Sequence, residues 1–329
     1  MQFLFAEQFT KGYESTFQVP RDKFDKVLTD AVQEKGIEIL FEHTVENVDF
    51  QNNFQETIIS NKEGQFIVKS KFVIDASGYG RVLPKLLDLN KASTFETRTA
   101  VFSHIKNHRK KNDAFDSNKI VIDTIDDDKT WMWLIPFSDG TTSVGVVGNN
   151  DSIKKCAIDP KSNLKPYLEQ VYTFKRLFSK VEFIKEPSSI SGFSIGVKKM
   201  YGNGFVLCGN STEFLDPVFS SGVTFATESS LLAAKLITKE LQNKPVNWEV
   251  EYNDYIKEGV TVFASYVKEW YTGNLQKLFF HRPENPEIKK QICAVLAGYV
   301  WDKTNPFVKK HKNIIKNIAY LIDMELSRK

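Results

Sequence analysis

The sequence predicts an α/β (α+β) chain with an inserted, mostly antiparallel sheet and a C-terminal helical region. Three observations predict it. Short alternating strands crowd residues 44–75 and 96–150. An apolar strand at 205–208 runs through a small-residue loop into a long helix opening at Gly222. From Trp248 onward the apolar spacing is helical.

Length and composition set limits on function. A chain of 329 residues holds about two domains and buries a large core without metals or disulfides. Its 44 basic and 41 acidic residues nearly cancel, which argues against an obligate nucleic-acid binder. Cys156, Cys208 and Cys293 form no CxxC pair, and an odd count fits a reducing cytoplasm, the expected location. The histidines make no HxxxH or HExxH pair, so no metal site is expected. No apolar run approaches the roughly 18 residues of a membrane helix, and the start lacks a signal-peptide pattern.

Taken in order, residues 21–35 read as an amphipathic helix. Phe24, Val27, Leu28 and Val32 share a face, Pro20 stands outside the start, and Gly36 ends it. IEILFE, TVENVDF, ETIISN and QFIVKS read as strands. FVIDASG (72–78) is an apolar strand that stops at small residues, where an α/β sheet presents backbone to a ligand. TAVFSHI, KIVIDTI, TWMWLIPF and TTSVGVVG form the inserted sheet, with turns at Asp126-Asp127-Asp128 and Asp139-Gly140. A helical region near 160–179 precedes the strands SISGFSIGV and GFVLCGN. The aromatic helix 248–272, with Tyr266 and Trp270, reads as a pocket wall or as core. The last helix sets Val308, Ile314, Ile315 and Ile318 opposite Lys309, Lys310, Lys312 and Lys316. It suits domain packing better than a membrane surface.

The strongest local feature is the loop 209–223. Small residues feeding a helix N-terminus offer backbone N–H groups and the positive end of the helix dipole, a site for an anion or an electron-rich ring edge. An ordinary loop with serine caps is the plain alternative.

Read together, FQVPRDKFD (17–25), DASGYGR (75–81), WMWLIP (131–136) and TEFLDPVFSSGV (212–223) resemble the flavin-dependent halogenases. These belong to the hydroxybenzoate-hydroxylase and geranylgeranyl-reductase type of FAD enzymes. The resemblance runs the length of the chain and is closest to variants acting on phenols or carrier-bound aromatics. Tryptophan halogenases carry Glu where this chain has Phe219, which argues against free tryptophan as substrate.

The resemblance implies a three-layer β-β-α FAD-binding domain at 1–92 and 180–245, a substrate-domain sheet at 93–179, and a helical region at 246–329. FAD would be held by Arg21 at its diphosphate and by Val45 at its adenine. Ala76, Ser77, Gly78 and Gly209 would pack against it, with Asp216, Pro217 and Val223 near its ribityl chain and ring. Ser221 and Gly222 match the halide-site pair. Trp131, Trp133, Ile135 and Pro136 would separate flavin from substrate; as plain strand residues, Trp131 and Trp133 simply share a face.

One departure stands out. The family's N-terminal G-x-G-x-x-G unit, which cradles the diphosphate, has no match among these 329 residues. The first residues align well beyond that unit, so a truncated start is expected. The family's catalytic lysine falls in the same missing stretch, leaving the catalytic residue unassigned.

Three motifs compete for attention. Gly192–Gly196 spells G-x-S-x-G, with Asp216 and His281 in hydrolase order, but strand pattern continues where a nucleophile elbow needs a helix. Asn210-Ser211-Thr212 is a glycosylation sequon in a chain without secretory signals. Glu213 and Asp216 are a carboxylate pair suited to acid–base work or to capping.

The expected activity is halogenation or hydroxylation of an electron-rich aromatic, with a flavin reductase as partner. The alternatives are a flavin dehydrogenase or reductase of a lipid or polyene, and a non-catalytic chain that needs its missing segment.

Overall fold

Strand register in the computed structural model follows the alternation of the sequence. The structure describes residues 2–108, 119–125, 129–280 and 285–328. The turn at Asp126-Asp127-Asp128 and His281 lie outside them. Two compact units emerge: residues 1–14, 38–94 and 194–329 form the first, and residues 15–37 and 95–193 the second.

The second unit is built on a five-stranded antiparallel sheet. Its order is Ser188–Ser191, Arg98–Lys106, Thr141–Asn149, Thr130–Pro136, Val121–Ile125. Alternation gives this sheet two faces. Met132, Leu134, Val144 and Val146 are fully buried against Cys156, Leu164, Leu168 and Phe174 of the helices that follow. Trp131 and Trp133 point the other way, with ring centroids 5.8 Å apart. A Cβ at Gly145 would lie 2.3 Å from the Trp133 ring, so only glycine fits beneath that indole.

The helix Arg21–Glu34 belongs to this unit, and Lys23 Nζ lies 4.0 Å from Asp139 Oδ2. Pro20 is its N-cap residue, and Gly36, at φ +76°, follows its end. Its apolar face is not covered by described residues: Val27 is 66% exposed and Leu28 52%. Residues 37–42, expected as a strand, form none. No described strand pairs with them, and a strand without a ladder has no basis for its conformation.

In the first unit, Thr44–Phe50, Gln55–Asn61 and Gly64–Ser70 form an antiparallel meander. A second small sheet pairs Phe205–Leu207 in parallel with Val73–Asp75 and antiparallel with Tyr201–Gly202. Helices Gly222–Leu241, Tyr255–Tyr271, Asn274–Phe280, Pro286–Leu296 and Ile314–Leu326 complete it. Their packing is aromatic. Trp301 stacks on Tyr255 at 5.1 Å, and Phe225 meets Phe263 edge-on at 5.6 Å. The expected terminal helix is broken: Pro306–Lys309 and Ile314–Leu326 flank the non-helical residues 310–313. Among the described residues no helix is long and apolar enough to cross a membrane.

Candidate flavin and halide site

The parallel strands Val73–Asp75 and Phe205–Leu207 end side by side, so the loops after them are neighbours. Asp75, 5% exposed, ties them together. Its Oδ1 accepts from Ser77 N–H (2.8 Å) and Ser211 Oγ (2.9 Å), and its Oδ2 from Leu83 N–H (2.7 Å). Gly78 N–H donates to Ser211 Oγ at 3.0 Å. Arg81 completes the joint with three bonds of 2.8 Å, to Asn90 Oδ1 and to the carbonyls of Asn210 and Gly196. A buried carboxylate and a buried guanidinium with these partners are fully engaged in structure, not chemistry.

This joint leaves small residues facing outward. Ala76 and Ser77 are exposed, and Gly78 sits at φ +60° with nothing within 4 Å of where a Cβ would stand. Gly209, at φ +55°, packs so close that a Cβ would meet Ala226 at 3.2 Å. Its N–H donates to Ser229 Oγ, which anchors the loop to the long helix.

The loop then narrows to the helix N-terminus. Asp216, 2% exposed, accepts from Val218 N–H (3.0 Å) through Oδ1 and from Tyr271 Oη (2.9 Å) through Oδ2. Pro217–Phe219 makes one 3-10 turn, and Ser220 takes the left-handed conformation at φ +52°. Phe219 meets Tyr266 and Trp270 edge-on, each at 6.2 Å. Ser221, 7% exposed, then opens the 20-residue helix Gly222–Leu241. Ser221 makes no side-chain cap bond, and the first turn holds no acidic residue. That terminus therefore keeps its positive partial charge for an outside anion. Val223, beside it, is 43% exposed.

Glu213 does not share a site-like arrangement with Asp216. Its carboxylate lies against Gly196, where a Cβ would stand 3.3 Å from Oε1. Burial raises its pKa, opposed by Lys91, Lys257 and Arg81.

The other expected residues fall elsewhere. Val45 is half-buried on the meander, opposite Ile59. Arg21 lies in the sheet unit, and its guanidinium forks onto Asp25 with two bonds of 3.0 Å. Trp131, Trp133, Ile135 and Pro136 lie on one strand of that unit. Trp131 is buried, while Trp133 is half-buried and donates from Nε1 to Ser143 Oγ at 3.1 Å. The G-x-S-x-G segment is no nucleophile elbow. Ser194 Oγ donates to the Leu215 carbonyl, and a strand, Ile195–Val197, follows. Sequence reasoning did not single out Tyr271; its neighbour Trp270 in the aromatic helix was the only signal.

Comparisons with known proteins identify the family. The family model described as tryptophan halogenase matches residues 4–324. The chain belongs to the tryptophan halogenase family. Members of this family are FAD-dependent oxidoreductases, and FAD is the cofactor of this chain. The chain is similar to a flavoprotein/dehydrogenase from Cytophaga hutchinsonii, of known crystal structure. It is 42% identical to that protein, with a TM-score of 0.93, over 98% of this chain and 79% of that one. It is 28% identical to the 1H-pyrrole-2-carbonyl-[peptidyl-carrier protein] chlorinase of Pseudomonas fluorescens, over 91% of this chain and 68% of that protein. The corresponding brominase of Pseudoalteromonas luteoviolacea is 25% identical, over 87% of this chain and 71% of that protein.

The residues at the two strand ends are small enough to admit a cofactor against their backbone. Ala76 is exposed, Gly78 has open space where a Cβ would stand, and the uncapped helix offers free N–H donors to an electron-rich group. The expected diphosphate-binding glycine motif is not among these 329 residues.

Proposed function

We propose that this chain is a flavin-dependent halogenase acting on an electron-rich aromatic acyl group bound to a carrier protein, with a flavin reductase as electron donor. One observation carries the reading. The helix Gly222–Leu241 begins uncapped at Ser221-Gly222, without an acidic neighbour in its first turn, beside the Phe219–Tyr266–Trp270 aromatic cluster.

Reduced FAD, when bound, supplies the two electrons that let O2 convert halide and a proton into hypohalous acid and water. Ala76, Ser77, Gly78 and Gly209 would make room for it, and Asp216 and Pro217 would shape its ribityl side. The backbone N–H groups at Ser221-Gly222 would hold the halide, and Val223 N–H would face the ring. Asp216, held by Tyr271, fixes the path of the chain into that terminus. Trp131, Trp133, Ile135 and Pro136 would form the barrier that the oxidant passes on its way to substrate. The carrier-bound substrate rests on the names of the two pyrrole-carrier relatives.

The FAD-loaded protein, given a flavin reductase, O2 and bromide, is offered pyrrole-2-carbonyl carrier protein and, separately, free phenols. Brominated carrier-bound product is expected by mass spectrometry. A bromide-independent gain of one oxygen would make it a hydroxylase. Loss of two hydrogens from substrate would instead favour the dehydrogenase reading that the Cytophaga relative's name suggests.

A further inference from the structure

Residues 309–317 build a cationic depression on the first unit. It has a volume of about 670 Å³ and is lined by Lys309, Lys310, His311, Lys312, Asn313, Ile314 and Asn317. The three lysines are exposed, and none is paired with a carboxylate among the described residues. The acidic groups around them are already engaged. Glu258, which faces His311, pairs with Lys303 at 2.9 Å, and Glu269 pairs with Lys316 at 3.6 Å. The local field is therefore uncompensated and positive, which attracts an acidic partner over several ångströms of solution.

The depression and the Ser221-Gly222 loop are both tied to the helix Tyr255–Tyr271. His311 Nδ1 lies 3.0 Å from Ser265 Oγ, and Lys316 reaches Glu269, both on Tyr255–Tyr271. The next positions along that helix, Tyr266 and Trp270, meet Phe219, and Tyr271 holds Asp216. Positions 265 and 266, like 269 and 270, differ by about 100° around the axis, so the cationic surface and the aromatic cluster border adjacent faces of one helix. A partner docked at the lysines would thus sit beside the helix that flanks the Ser221-Gly222 loop. The surface is concave, so it receives a convex acidic domain better than a flat bilayer.

We infer that the Lys309–Lys310–Lys312 depression is the docking surface for an acidic carrier domain that presents the aromatic substrate on its arm. The inference rests on the carrier-bound substrate proposed above. The surface supplies electrostatic steering and orientation.

The test uses FAD-loaded full-length chain and pyrrole-2-carbonyl-loaded peptidyl-carrier protein, with binding measured by calorimetry at low and high salt. Wild type is expected to bind, more weakly as salt rises. The triple variant Lys309→Glu, Lys310→Glu, Lys312→Glu is expected to bind about tenfold more weakly or worse. The triple Lys→Arg variant should keep its affinity, and melting temperature and free-phenol turnover should match wild type in both. Equal carrier binding by wild type and the Glu variant would overturn the docking surface while leaving the carrier reading in place. No carrier binding by wild type would overturn both. Equimolar phosphatidylserine–phosphatidylcholine vesicles form a third arm. Tighter binding to these than to the carrier, lost in the Glu variant, would overturn carrier docking in favour of a membrane surface.

Discussion

The hydroxyl of Tyr271 donates to Asp216 Oδ2 at 2.9 Å, joining the aromatic helix to the loop that precedes Ser221-Gly222. Asp216 is 2% exposed, so its carboxylate depends on protein donors rather than water. Tyr271→Phe removes one of them while keeping the ring. We expect a loss of about 1–2 kcal/mol in urea unfolding, with lower turnover as the loop loosens. Unchanged stability and unchanged turnover would show that this bond does not hold the loop.

Glu213 behaves oppositely. Burial raises its pKa, so folding disfavours the ionised carboxylate relative to the unfolded chain. A raised folded pKa contributes stability below the unfolded value and loses it as pH rises through the folded value. Glu213→Gln mimics the neutral form. It should melt like wild type near pH 4 and above it at pH 7, a comparison made by calorimetry at the two pH values.

The buried thiols give a second pH signature. Burial pushes Cys156 up to about 12 and Cys293 up to about 11, and Cys208 is raised too. The native protein should resist thiol-reactive dyes at pH 8, and all three cysteines should label after denaturation. Stability from these neutral thiols is present below their ordinary value near 9. It is lost as pH rises from there toward 11–12, so alkaline unfolding should steepen in that window.

Gly145 and Trp133 are coupled through space. A methyl at Gly145 would collide with the indole at 2.3 Å. Gly145→Ala should cost about 1–3 kcal/mol from overpacking, and pairing it with Trp133→Leu should recover part of that loss. Simple additivity of the two changes in urea unfolding would show that the contact carries no coupling.

How much of this was legible in the sequence depended on distance along the chain. Pro20 and Gly36 bracket the Arg21–Glu34 helix because their local conformations decide it. The Gly222 helix start and the Asp75 strand end were legible for the same reason, small residues after apolar runs. Residues 37–42 were not, since their alternation resembles a strand but a strand exists only through its partner. The Asp216–Tyr271 bond joins residues 55 apart, and the Asp75–Ser211 bond joins residues 136 apart; no periodicity announces either. The break at 310–313 also escaped, because the lysine-rich pattern there is compatible with continuous helix. The four motifs pointed to the family, while the packing that steadies them is long-range.

The uncapped helix start at Ser221-Gly222 is the proposed halide site. Ser221→Asp places a carboxylate there, which favours the helix terminus and repels an anion. The measurement is a bromide titration of FAD-loaded protein followed by flavin absorbance. Wild type should show a saturable change, and Ser221→Asp should show none while retaining FAD and its melting temperature. Saturable bromide binding of equal strength in both proteins, or none in wild type, would contradict a halide site at Ser221-Gly222.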